Sequence, residues 1–73
     1  MGSKDIKLRK DEEFITLQSL LKVTNIISTG GMVKAFLAEE AVLVNDEPEN
    51  RRGRKLYPGD VVQVLNQNFK IVK

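Results

Sequence analysis

The chain contains neither cysteine nor histidine. Without cysteine there is no disulfide framework, no thiolate nucleophile and no cysteine-based metal site. Without histidine the commonest general base and the commonest metal ligand are both missing, which excludes serine–histidine–aspartate and cysteine–histidine catalysis. Aromatic residues are scarce, at 5% of the chain. No run approaches the roughly 20 apolar residues of a membrane span, and no signal-peptide pattern opens the sequence. The expected compartment is therefore the cytoplasm. Met1-Gly2-Ser3 carries no structural signal.

What remains is enough for one small domain: 73 residues, 41% hydrophobic and 30% charged. A chain of this length buries only about 60% of its unfolded surface, so a single economical core within residues 1–73 is expected. The net charge is only +2, and any affinity for anions depends on where the cations sit. Acidic residues pool in Asp11-Glu12-Glu13 and Glu39-Glu40. Cations pool in Arg51-Arg52-Gly53-Arg54-Lys55, four of them in five positions. Crowded cations repel one another, and exposed ion pairs return at most about 1 kcal/mol, so folding alone does not account for the cluster. An anionic partner does, and nucleic-acid phosphate leads.

Hydrophobic patterning predicts the element order β-α-α-β-β-β. Ile6 and Leu8 alternate with Lys7 and Arg9, as in a half-buried strand, and Asp11 to Glu13 form a solvated turn. Thr16 is placed to cap a first helix in which Leu17, Leu20 and Leu21 make one apolar stripe, ending near Asn25. Ser28-Thr29 supply a second N-cap, and Val33, Phe36 and Leu37 repeat the helical spacing. Val42-Leu43-Val44 reads as a strand and Asn45-Asp46 as the turn after it. Pro58-Gly59 suit the centre of a type II turn leading into strand Val61 to Leu65. Asn66-Gln67-Asn68 then turn into a last strand, Phe69 to Val72, which can close a sheet with the first. Phe14, Phe36 and Phe69 fall on apolar faces and are expected in the core.

These residues also carry a family resemblance. From Thr16 to Val64, a motif core spanning 16–65, the sequence resembles the S-four domain, the αL RNA-binding motif first recognised in the small-subunit ribosomal protein four. The likeness rests on Leu17-Gln18-Ser19-Leu20-Leu21-Lys22, Ser28 to Leu37, Val42-Leu43-Val44-Asn45, Arg51 to Lys55, and Pro58-Gly59-Asp60-Val61-Val62. More narrowly, Leu20-Leu21-Lys22, Gly30-Gly31 with Lys34, and Glu49 to Leu56 resemble stand-alone bacterial YaaA/YbcJ-type members. The resemblance implies an α+β fold, two short helices packed on a small, mainly antiparallel sheet. It also implies a ribosome-associated role, with structured RNA, ribosomal RNA included, as partner. Lys34, Arg51, Arg54 and Lys55 match basic positions of the pattern. Thr16 and Gly30 stand where typical members carry arginine, and Asp46 replaces a turn glycine.

A composite phosphate site is still possible without those arginines. Ser28-Thr29-Gly30-Gly31 lie at a predicted helix start, where unpaired N–H groups and the helix dipole favour an anion. Neither glycine carries a Cβ to hold a phosphate away, and Lys34 follows one turn later. Arg51, Arg52, Arg54 and Lys55 then take neighbouring phosphates. The simpler reading is that Gly30-Gly31 only permit a tight turn. Lys22 either extends the basic surface or complements the end of the first helix. Tyr57 either stacks on a base or covers the turn beside Pro58.

The carboxylate pairs Glu12-Glu13 and Glu39-Glu40 point to different faces and lack a third ligand, so they read as solvated surface. No enzymatic activity, metal or cofactor is expected, and a monomer is. Two functions stay open. One is a sequence-tolerant module for structured RNA, the other an adaptor whose basic face meets an acidic protein.

Overall fold

A computed structural model describes residues 3–73; Met1 and Gly2 lie outside the described residues. The chain runs through β1 (Lys4–Lys7), β2 (Ile15–Thr16), α1 (Leu17–Val23), a 3₁₀ turn (Gly30–Met32) and α2 (Val33–Glu39). It continues through β3 (Val42–Val44), β4 (Glu47–Pro48), β5 (Lys55–Leu56), β6 (Val61–Val64) and β7 (Gln67–Val72). Five strands form one sheet in the order β1-β7-β6-β3-β4, and β2 pairs with β5 in a separate two-stranded ladder. Among the described residues only β1 and β7 run parallel, with Ile6 beside Ile71, so the sheet is mainly antiparallel and the first and last strands meet as expected. No helix among the described residues is long and apolar enough to cross a membrane.

One face of the sheet holds the core. Alternation along the strands turns Val42, Val44, Val62, Val64, Phe69 and Ile71 inward, against Leu17, Leu20 and Leu21 of α1 and Val33 and Leu37 of α2. Each fully buried aliphatic side chain stabilises the fold by about 1.5–3 kcal/mol relative to exposure. Helix α1 starts where the sequence indicates. The Thr16 hydroxyl accepts the Ser19 N–H at 3.2 Å, and the helix gives way at Asn25, which takes φ 63°.

The second helix begins differently from the expected N-cap. Thr29 has the extended backbone of a cap, but no side chain caps the 3₁₀ turn or α2. The Thr29 carbonyl already holds the Met32 N–H at 3.2 Å, so the tight first turn satisfies by backbone what a cap would satisfy by side chain. Within α2 the buried residues are Val33 and Leu37, four apart; Phe36 flanks that line and is only partly buried. Phe14 is likewise partly buried, outside the main core, because it precedes β2 and lies across from Tyr57. Of the three phenylalanines, Phe69 alone is a core residue.

The turn between β6 and β7 also departs from expectation. It comprises Leu65 and Asn66, at φ 50° and 62°, not Asn66 to Asn68. Register explains this. With the two-residue turn, Val62 pairs with Phe69 and Val64 with Gln67, so Phe69 and Ile71 face the core. A three-residue turn over Asn66 to Asn68 would set Lys70 opposite Val64 and flip the whole strand. Burial of Phe69 and Ile71 outweighs the strain of a leucine at positive φ, about 1–3 kcal/mol. Asn45 and Asp46, at φ 52° and 68°, form the equivalent turn between β3 and β4, and Gly59 takes φ 98° ahead of β6.

Candidate nucleic-acid interface

The basic segment is docked on the start of α1. The Leu17 N–H donates to the Arg54 carbonyl at 2.9 Å and the Gln18 N–H to the Arg52 carbonyl at 3.0 Å. Two of the helix's otherwise orphaned N–H groups are thereby satisfied, and the loop backbone is pinned to a rigid element. The adjoining β2–β5 ladder, pairing Ile15 with Leu56 and Thr16 with Lys55, fastens the end of the same segment. With the backbone turned inward, Arg51, Arg52 and Lys55 are exposed and Arg54 is partly buried.

Glu49 organises these cations. Its carboxylate accepts the Arg51 Nε at 3.0 Å, the Arg51 Nη2 at 3.2 Å, the Arg51 N–H at 3.1 Å and the Arg54 Nη1 at 2.7 Å. The side chain is only 7% exposed. Its hydrogen bonds with Arg51 lower the Glu49 pKa from an ordinary value near 4.5 to about 2, against the opposing pull of burial, with Arg54 adding to the lowering. The same bonds raise that of Arg51. Glu49 thus offsets one of the loop's positive charges and holds two guanidinium groups side by side. A single glutamate two residues before an arginine gives no periodic signal, so sequence patterning did not single it out.

Two grooves flank the loop. One, of about 590 Å³, is lined by Arg51, Gly53, Arg54, Lys55, Tyr57 and Asp60. The other lies between α2 and the loop and is lined by Lys34, Leu37, Ala38, Asn50 and Arg52. Lys34 and Arg52 therefore share a groove, although they are 18 positions apart in sequence. Among the described residues, neither makes an ion pair within the protein.

Ser28, Thr29, Gly30 and Gly31 are all exposed and line neither groove. Neither Gly30 nor Gly31 has a positive φ, and a Cβ at Gly31 would meet nothing within 4 Å. A Cβ at Gly30 would lie 3.8 Å from the Lys22 Nζ, so the ammonium at the end of α1 sits beside the start of the second helix. Backbone conformation and internal crowding leave the glycine pair unexplained.

A family model described as the S4 domain matches residues 6–72. The chain belongs to the S4 domain family. The match extends beyond the Thr16–Val64 motif to take in the end of β1 and the whole of β7, the first and last strands of the sheet. The S4 domain chain is also 63% identical over 54 residues to the probable ribosome maturation protein RlbA of Bacillus subtilis (strain 168), an alignment spanning 74% of this chain and 76% of that protein. Within this S4 domain the Glu49-ordered arginines line one groove beside the pinned loop, and Lys34 and Arg52 line the other.

Proposed function

We propose that this S4 domain chain is a non-catalytic RNA-binding protein of the cytoplasm that acts on ribosomal RNA during ribosome maturation. The family supports RNA as the ligand, and the RlbA relative, named for ribosome maturation, supports the process. The observation that carries the reading is the shared groove of Lys34 and Arg52, which puts unpaired cations of α2 and of the loop around one concavity. Arg51, Arg54 and Lys55 continue the positive surface, and Ser28-Thr29-Gly30-Gly31 with Lys22 extend it beyond the start of α2. Contacts of this kind read backbone phosphates and helical shape rather than sequence. One chain assembles the whole surface, so a monomer suffices.

A mobility shift with a folded ribosomal RNA fragment and with duplex DNA of equal length tests this. Binding to the RNA that weakens steeply with salt is expected. Binding to an acidic protein with no shift of either nucleic acid would replace this reading by the adaptor.

A further inference from the structure

Phe14 and Tyr57 are two of only four aromatic residues in the chain, and both lie outside the main core. The β2–β5 ladder accounts for their meeting. It pairs Ile15 with Leu56 antiparallel, so the next positions outward, Phe14 and Tyr57, face each other across the two strands. Their ring centroids are 5.7 Å apart with planes inclined at 50°. Lys55 Nζ lies 5.1 Å from the Phe14 ring centroid, a cation–π distance that holds the ammonium beside the pair. Tyr57 is nevertheless 48% exposed, too open for a ring whose task is to cover a turn.

The surroundings of Tyr57 are those of a ligand site. Its ring lines the larger groove together with Arg51, Arg54 and Lys55. Its backbone is fixed: the Tyr57 N–H donates to Asp60 Oδ2 at 2.8 Å, and the Asp60 N–H returns to the Tyr57 carbonyl at 2.9 Å. Asp60 Oδ1 accepts from Asn45 Nδ2 at 3.1 Å, so both carboxylate oxygens are already engaged. An anchored, half-exposed aromatic ring among guanidinium groups is the arrangement that takes a base on its face and the adjoining phosphates on its cations.

We propose that Tyr57, braced by Phe14 and flanked by Lys55, is a stacking platform for one unpaired nucleobase of the bound RNA. This rests on the RNA-binding reading and sharpens it. Phosphate contacts alone do not distinguish paired from unpaired RNA, whereas a stacking platform selects a loop, bulge or end whose base is free to leave its own stack.

Tyr57 is the chain's one tyrosine and there is no tryptophan, so intrinsic emission reports this ring alone. The test titrates the full chain with two synthetic hairpin RNAs of identical stem. One has a loop of unpaired adenosines; the other has the same loop sugars and phosphates without bases. The adenosine hairpin should quench Tyr57 emission and bind about 5- to 100-fold more tightly than the abasic one. Tyr57→Leu should abolish that preference, while Tyr57→Phe keeps it. Equal affinity of the parent for both hairpins, with unchanged emission, overturns the platform and leaves the phosphate surface standing. Retained preference in Tyr57→Leu also overturns it. Failure to bind either hairpin at low salt removes the platform together with the RNA reading. The quench and the hairpin comparison need no variant, so a poorly folding substitution does not blunt the test.

Discussion

Glu49 Oε1 accepts Arg54 Nη1 at 2.7 Å, so the loop's least exposed arginine and its most buried carboxylate are locked together at the base of the cationic surface. Such a pair, with Arg51 donating to both carboxylate oxygens, keeps crowded guanidinium groups at fixed spacing before any ligand arrives. The order it imposes has a pH signature. Folding lowers the Glu49 pKa from about 4.5 to about 2, so its contribution to stability is complete above the ordinary value and is lost as pH falls through that interval. Glu49→Gln should therefore melt a few degrees below the parent at neutral pH. That gap should stay constant down to about pH 5 and close as pH approaches 2. Melting curves of both proteins across the range check it, and a gap unchanged at low pH would mean that the carboxylate charge is not what orders the loop.

The contrast between Phe36 and Leu20 gives a second prediction. Leu20 is 0% exposed at the centre of the core, whereas Phe36 is partly buried at its margin. Leu20→Ala should cost about 2–5 kcal/mol, a large part of what a domain of this size possesses. Phe36→Ala leaves a site that water can reach and should cost well under that. Chemical denaturation of the two variants decides it, and a larger loss for Phe36 would return that ring to the core.

Much of this fold was legible because strong local signals agreed with burial. Thr16 caps, Leu17, Leu20 and Leu21 repeat at helical spacing, and Pro58-Gly59 make a turn that only glycine enters easily. The failures share a cause. The β2–β5 ladder has two residues per strand, too short for any periodicity, and it alone moves Phe14 out of the core and sets it against Tyr57. The Leu65-Asn66 turn defies local preference because register, a property of two strands together, decides it. At the site, the cluster of like charges was plain in the sequence. Its organiser Glu49 and the pairing of Lys34 with Arg52 across a groove depend on packing between distant segments.

Arg51 and Arg52 are adjacent but should respond differently to removal. Arg52 has no ion-pair partner among the described residues, so Arg52→Ala should leave the melting temperature within a degree or two. It should weaken RNA binding and reduce the salt slope by about one. Arg51→Ala should lower both stability and affinity, because it also removes the main partner of Glu49. With Arg51, Arg52, Arg54 and Lys55 all replaced by alanine, the slope should fall by about four units. Affinity against salt concentration, measured with one folded RNA, checks the series; an unchanged slope would place the phosphate contacts elsewhere.

The glycine pair at the start of the second helix gives the last prediction. Gly31 lies in a 3₁₀ turn without a positive φ, and a Cβ there meets nothing within 4 Å, so the protein itself has room for a side chain. Gly31→Val should change folding stability by about 1 kcal/mol or less, since valine is no worse a helix former than glycine. If phosphate approaches these amides, the valine methyl groups stand in its path and RNA affinity should drop sharply in a well-folded protein. Lys34→Ala, less than one helical turn further on, removes charge from the same approach. Groups that share one phosphate are not additive, so the double variant should bind scarcely worse than Gly31→Val alone. Melting temperatures and RNA affinities of the two single variants and the double variant settle it: full binding by Gly31→Val, or strictly additive losses, would show that the ligand does not touch this corner.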